Sequence, residues 1–317
     1  MTTSVPRISV VVATYNRAQL LPRLVAALER QDLDHRYLEL IVVDDGSSDD
    51  TGVVLAALAA DASFSLAVLS QPRNSGPAAA RNAGWAVARG EVIAFTDDDC
   101  EPSSRWLRAG LEQLEPGTYV VGKTEPARDQ LQAEGPFSRT LRVGNAKFMQ
   151  TCNIFYRRVD LDRLGGFDER LRTAEDTDLG FRALELGIVG IFAPEALVEH
   201  DVRPSSLPAA LRDACRWVDV PWVVKRQGYS EYQSWKVFWK PSHAVLFVAL
   251  IAIVLGVVLH PIALLGVLPW IRRNLVVDRK RFPWHTRLLA LPGSFLVDLT
   301  EMITMIRGSI RHRILLL

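Results

Sequence analysis

A chain of 317 residues with 37 Lys and Arg against 36 Asp and Glu, a formal net charge of +1, fits one large domain plus an appendage, or two domains. That balance argues against bulk electrostatic attraction to nucleic acid. Cys100, Cys152 and Cys215 are odd in number and form no CxxC, which argues against a disulfide framework or a zinc site and points to a reducing compartment. The balance conceals an asymmetry. After Lys240 nine basic residues stand against Asp278, Asp298 and Glu301, so an acidic front is followed by a basic tail suited to anionic lipid. No charged n-region, long apolar core and cleavage site precede the first strand-like run, so no leader is expected.

In chain order, Ile8 to Ala13 predicts a strand and Thr14 to Arg17 the loop after it. Asn16 can cap a helix with Gln19 in capping-box position, and Leu20, Leu24 and Leu28 give that helix its stripe. Pro22 fits only if the helix starts late, with the proline in its first turn. Leu38 to Val43 predicts a second strand, ending in Asp44-Asp45-Gly46-Ser47. The order then recurs: helix over Val53 to Ala60, strand over Leu66 to Leu69, helix over Ala78 to Ala88, strand over Val92 to Phe95. Alternating β and α units at this spacing call for an α/β fold with a parallel sheet covered on both faces.

The strand Val92 to Phe95 runs directly into Asp97, Asp98 and Asp99, with Pro102 three residues later. Three carboxylates at a strand end repel one another and lose solvation, and a cation among them relieves both; a solvated acidic turn is the other reading. Neither a GxGxxG nor a Walker A motif occurs, so phosphate contacts must come through a cation and side chains. In Asn74 to Gly84, Gly76 and Pro77 punctuate a loop, Ala78 to Ala80 read as a tight packing helix, and Arg81 and Asn82 could hold a nucleotide.

Beyond Tyr119 to Lys123 the pattern loosens, and Glu125 to Gly144 reads as a mobile loop or lid. Thr151 to Arg157 predicts a strand with Asn153 facing the site. Thr173 to Asp176 matches a capping box ahead of the face Leu179, Ala183 and Leu186, so Asp176 has a structural reading as well as a chemical one. Ile188 to Phe192 and Leu197 to Val198 are strand-like and deliver His200, which is either a ligand or a bystander.

Ala13 to Arg17, Val43 to Ser47, Asn74 to Asn82, Asp97 to Asp99 with Pro102, Gly165 to Asp168 and Ala174 to Leu179, in this order, resemble the family 2 glycosyltransferases with the GT-A fold. The resemblance implies a Rossmann-like, mostly parallel nucleotide-diphospho-sugar transferase domain over residues 5–204. It places Thr14, Tyr15 and Asn16 against the nucleotide, Asp45 at the base, and Asn74, Arg81, Asp97 and Asp98 around the rest of the donor. It gives Asp99 a divalent cation, with His200 like a late histidine ligand, and makes Asp176 of the Glu175–Asp176 pair the general base of an inverting displacement. The chemistry asks for such groups: a hard cation neutralises charge building on the leaving diphosphate, and a carboxylate takes the proton of the attacking hydroxyl. Mg²⁺ or Mn²⁺ suits oxygen ligands, and an imidazole favours Mn²⁺.

Residues 205–240 read as amphipathic, with Leu207, Leu211, Cys215 and Val218 on one helical face. Asp213 to Trp217 resembles the QxxRW acceptor motif of sugar polymerases with Asp for Gln. Arg216 and Trp217 are therefore acceptor-side candidates beside Asn153, or else part of a helix lying on membrane or core. Within 241–317, Ala244 to Ile271 is apolar, broken at His260-Pro261 and flanked by Trp235, Trp239, Trp270 and Trp284. It predicts a membrane hairpin that returns to the cytoplasmic face, each arm too short to span. Leu288 to Ile306, carrying Asp298 and Glu301, is better suited to the interface. The expectation is a membrane-anchored, cytoplasm-facing glycosyltransferase using a nucleoside-diphosphate sugar and a lipid-linked or envelope acceptor. Its rivals are a sugar-nucleotide nucleotidyltransferase and a non-catalytic sugar-nucleotide-binding protein at the membrane.

Overall fold

Strand β1 (Ile8–Thr14) is buried at six of its seven positions, as a mostly apolar run in a sheet covered on both faces must be. Helix α1 (Leu21–Glu29) does start late, with Pro22 in its first turn. Asn16 does not cap it: its backbone has φ 53° and its side-chain oxygen accepts from the Ser48 N–H instead. Strand β2 (Leu38–Asp44) is buried throughout. It is followed by α2 (Thr51–Asp61) and by β3 (Ser65–Ser70), whose exposure suits a sheet edge. Helix α3 (Pro77–Val87) packs on β1 and β2. A Cβ at Gly84 would stand 2.5 Å from Val11 Cγ1, so only glycine lets this helix lie so close to the sheet. Strand β4 (Val92–Thr96), short β5 (Cys100–Pro102), α4 (Trp106–Gln113), β6 (Thr118–Pro126), β7 (Asn153–Arg157), α5 (Arg158–Leu164), α6 (Glu175–Glu185) and β8 (Val189–His200) follow.

The eight strands form one sheet in the order β3-β2-β1-β4-β7-β6-β8-β5. Four of the seven neighbouring pairs are parallel; β4–β7, β7–β6 and β8–β5 are antiparallel. The chain moves outward from β1 through β2 to β3 and returns to β4 on the other side of β1. Such a reversal opens a crevice outside the carboxyl ends of the flanking strands, where open α/β sheets bind ligands.

This is a computed structural model describing residues 7–147, 149–227, 237–278 and 281–316. It divides into two compact units, Met1–Gln132 with Thr140–Val202, and Ala133–Arg139 with Arg203–Leu317. The stretch Glu125 to Gly144 is therefore not a simple lid. Val143 rejoins Thr124 by an isolated bridge, while Ala133–Arg139 belongs to the second unit, where Arg139 pairs with Arg203.

The second unit is helical: α7 (Leu207–Ala214), α8 (Val220–Gln227), α9 (Pro241–Val258), α10 (Leu268–Arg272) and α11 (Trp284–His312). The amphipathic stretch breaks after Ala214 into a 3-10 turn, Cys215–Asp219, which leaves Cys215 exposed rather than on an apolar face. The apolar run breaks where expected. His260 caps the turn Pro261–Val267, which doubles back so that Leu264 packs on Gly256.

Two expectations about this tail are corrected. The first arm is not too short: α9 has 18 residues, roughly 27 Å, and both it and α11 are long and apolar enough to cross a membrane. Nor do the carboxylates confine α11 to an interface, because both are met inside the unit. Trp270 Nε1 donates to Asp298 Oδ2 at 2.8 Å, and Lys240 Nζ reaches Glu301 at 2.9 Å. Trp270 is consequently buried rather than an outward-facing aromatic, whereas Trp284 is 73% exposed. Trp235 lies outside the described residues.

Candidate active site

The parallel register assembles the site. Val11 pairs with Phe95 across β1 and β4, so three residues further on Thr14 stands beside Asp98, and Thr14 Oγ1 donates to Asp98 Oδ2 at 2.8 Å. Thr14 also pairs with Asp44 of β2, bringing the second acidic turn to the same edge. The loop after β1 is pinned by its backbone: Asn16 N donates to Ser47 Oγ at 2.8 Å and Arg17 N to Thr51 Oγ1 at 3.0 Å. Tyr15 is 44% exposed, open to a planar ligand. Asp45 is buried and its two oxygens already accept the Ser75 and Gly76 N–H groups at 2.7 and 2.8 Å, so it shapes the wall of the edge as well as facing it. Asn74 is exposed, and its Oδ1 accepts from Arg172 at 3.4 Å.

Asp98 and Asp99 are buried and Asp97 is half-buried. Burial above all, together with the charges of Asp99 and Asp97, pushes the Asp98 carboxyl up to about 6 against the pull of Arg17. Strand β5 then turns back and pairs Cys100 with His200 of β8, which sets His200 Nε2 3.4 Å from Asp99 Oδ1. His200 Nδ1 lies 3.0 Å from the Asp201 carbonyl. A carbonyl only accepts, so Nδ1 carries a proton, and Nε2 is the ring atom that faces the Asp99 carboxylate. A carboxylate oxygen and a ring nitrogen facing each other in a buried place are both ligand-type atoms, and a cation fits between them. The backbone carbonyl that fixes the tautomer is the usual support of a metal-binding histidine. Among the described residues, Asp99, Cys100 and His200 bring ligand-type atoms within 4.8 Å of one another. Burial keeps the Cys100 thiol protonated and its Sγ points to the Cys152 carbonyl, so Asp99 and His200 are the better donors.

The Glu175–Asp176 pair opens α6. The expected capping box is not made: the cap is Ala174, in the left-handed region at φ 63°, and Asp176 Oδ1 accepts from Thr177 N. With no cap to supply, Asp176 is half-buried at the helix start. Desolvation, then the charge of Glu175, holds its carboxyl above the ordinary range, while Arg81 opposes the shift.

Arg81 is not an open phosphate ligand, as the sequence suggested. It is buried, with Nη1 2.8 Å from Glu175 and Nη2 2.9 Å from Asp97, and so ties the start of α6 to the end of β4. Asn82 likewise holds protein rather than nucleotide: Oδ1 accepts from Phe167 N at 2.9 Å and Nδ2 donates to Phe167 O at 2.9 Å. This clamp closes the Gly165–Gly166 turn and leaves no room beside it. A Cβ on Gly166, at φ 71°, would fall 2.5 Å from Asn82 Oδ1. Gly166→Ala is therefore expected to destabilise the chain by roughly 1–3 kcal/mol in denaturant unfolding.

Asn153 is corrected too. It does not face a substrate: buried at the start of β7, it accepts from Trp106 Nε1 at 2.8 Å and donates to the Lys123 and Ala196 carbonyls at 2.9 Å each. Arg216 and Trp217 belong to the second unit, where Lys240 Nζ sits 3.9 Å from the Trp217 ring centre. Sequence reading passed over Arg17, whose Nη1 is 3.4 Å from Asp98 and 3.5 Å from Asp99.

Comparison with known proteins bears on the family and the fold. The family described as Glycosyl transferase family 2 matches residues 9–165, and Glycosyl transferase family group 2 matches residues 135–277. Glycosyltransferase AglE of Haloferax volcanii is 28% identical over 213 residues, 64% of this chain and 70% of that protein. The GalNAc(5)-diNAcBac-PP-undecaprenol beta-1,3-glucosyltransferase of Campylobacter jejuni is 37% identical over 118 residues, which is 37% of this chain but only 38% of that protein. Among solved structures, the mannosyltransferase PcManGT from Pyrobaculum calidifontis, in complex with GDP-Man and Mn²⁺, superposes with a TM-score of 0.62 at 22% identity. That match covers 97% of this chain and 87% of the other, and it carries the fold.

Proposed function

Because the chain belongs to the family 2 glycosyltransferases, we propose that it is an inverting, divalent-cation-dependent enzyme. It moves a sugar from a nucleoside-diphosphate donor to a hydroxyl of a lipid-linked or envelope acceptor, at the cytoplasmic face of a membrane. The observation that carries the reading is the joining of two chemistries at one strand end. Asp98, Asp99 and His200 gather there, and Arg81 ties the Glu175–Asp176 pair to Asp97 of the same turn.

Thr14, Tyr15 and the wall held by Asp45 receive the nucleotide. Asp99 and His200 would hold Mn²⁺ or Mg²⁺, which when bound offsets negative charge on the diphosphate. The acceptor oxygen forms a bond to the anomeric carbon as the carbon–oxygen bond to the diphosphate breaks, and the electron pair leaves with the diphosphate. Asp176 takes the hydroxyl proton. A single displacement from the face opposite the leaving group inverts the anomeric carbon. Binding of GDP-Man and Mn²⁺ by the structurally similar mannosyltransferase supports the donor and cation. The undecaprenol-linked substrate named for the Campylobacter relative supports a lipid acceptor. So do α9 and α11, of whose apolar windows only 33% is buried, where a soluble core helix would be mostly covered.

The test is a panel of UDP- and GDP-sugars with Mn²⁺, with and without membrane lipid extract. The expected outcome is nucleoside diphosphate released only when extract is present, with a lipid product heavier by one sugar. A nucleotidyltransferase would instead make sugar nucleotide and pyrophosphate from nucleoside triphosphate and sugar phosphate, and a binding protein would release nothing.

A further inference from the structure

We propose that Arg17 is a built-in stand-in for the divalent cation: it neutralises Asp98 and Asp99 before the donor arrives, yields to the cation, and then grips the donor's diphosphate. The proposal rests on the cation reading of Asp99 and His200. It starts from a contrast between two arginines at the same strand end. Arg81 is locked, buried and bonded to two carboxylates at 2.8 and 2.9 Å, the length of strong charge-assisted hydrogen bonds. Arg17 is loosely held, with one nitrogen, Nη1, straddling Asp98 Oδ1 at 3.4 Å and Asp99 Oδ2 at 3.5 Å and a side chain 26% exposed. One cationic nitrogen lies between two carboxylates, on the Asp99 oxygen opposite the one that faces His200 and so beside the place a bound cation would take, and its hydrogen bond to Asp98 is long.

The two ends of the residue differ as a swinging arm requires. The backbone is anchored, because Arg17 N donates to Thr51 Oγ1 at 3.0 Å and the preceding Asn16 is fixed to Ser47 and Ser48. The side chain is then the part free to move. A divalent cation carries twice the charge of a guanidinium and coordinates oxygens directly, so it displaces Arg17 from the carboxylates. The released guanidinium remains rooted beside Thr14 and Tyr15, and its planar donors match phosphate oxygens. Cation and donor thereby bind in a favoured order, and the acidic edge is never left fully uncompensated.

The experiment uses the full chain in detergent, with free Mn²⁺ followed by electron paramagnetic resonance in the absence of nucleotide. Arg17→Met, and Arg17→Gln as a polar control of the same charge change, are expected to bind Mn²⁺ roughly three- to tenfold more tightly than the unaltered chain. Arg17→Lys, which keeps the charge, should stay near it. At saturating Mn²⁺, calorimetry with UDP and GDP should show the better-bound nucleotide losing about tenfold in affinity in the Met and Gln variants. Unchanged or weaker Mn²⁺ binding in both neutral variants would overturn the stand-in role while leaving the cation site intact, and so would undiminished nucleotide affinity. Failure of Mn²⁺ to bind any of the proteins would remove the cation reading itself.

Discussion

Asp176→Asn is expected to retain donor affinity and lower turnover about a hundredfold or more. The amide keeps the size of the carboxylate, and its oxygen can still accept from the Thr177 N–H and hydroxyl, as Asp176 Oδ1 does. What it loses is the ability to take a proton. The fold has little stake in the charge, since Ala174 and not Asp176 sets the start of α6. Removing a carboxylate crowded by Glu175 relieves repulsion, while a favourable charge at a helix start is given up; stability should change by no more than about 1 kcal/mol.

The pH profile sharpens the test. A base works only when deprotonated, so activity should rise with pH through a pKa above the ordinary carboxylate range, where burial and Glu175 hold it. The remaining activity of the variant should lack that acid limb. A variant with near-normal turnover and the same acid limb would remove Asp176 as the base.

Much of this site could be read along the chain because its parts sit where strands end. A mostly apolar run cut off by acid, as at Asp44 and again at Asp97, can be placed on the carboxyl edge of a parallel sheet without a structure, and Thr14 follows from the same logic. What resisted reading depended on contacts across long stretches of sequence. Residues as short as Cys100–Pro102 carry no strand signal, yet their antiparallel pairing with β8 brings His200 to Asp99. Asn153 and Asn82 looked like ligand-facing amides because an amide's type does not reveal whether its partners are substrate or backbone. Both are consumed by the protein's own groups, at Trp106 and Ala196 in one case and at Phe167 in the other. Arg81 misled in the same way, since a cation near a phosphate site and a cation neutralising Asp97 and Glu175 are the same letter. In the tail, charge on an apolar helix suggested an interface, but Lys240 and Trp270 meet those carboxylates from elsewhere in the unit.

Asp99→Asn is expected to abolish cation-dependent nucleotide binding and to cut turnover by about a thousandfold or more, because several kcal/mol of charge stabilisation at the leaving diphosphate go with it. The substitution separates chemistry from folding. The Asp99 carbonyl still accepts from Asp201 N at 2.9 Å, and the pairing of Cys100 with His200 is made by backbone. The variant should therefore fold, and losing one of the crowded carboxylates should not lower its melting temperature. Excess chelator should reproduce the loss in the unaltered chain, with Mn²⁺ restoring activity there and failing to restore it in Asp99→Asn. His200→Ala should fall between, since it removes one donor and leaves the carboxylate. Full activity in excess chelator would sink the cation assignment. A variant that loses activity but still binds Mn²⁺ with normal affinity would move the cation to other ligands. In both cases Asp98 and Asp99 would need another source of positive charge, and at 3.4 and 3.5 Å that source is Arg17.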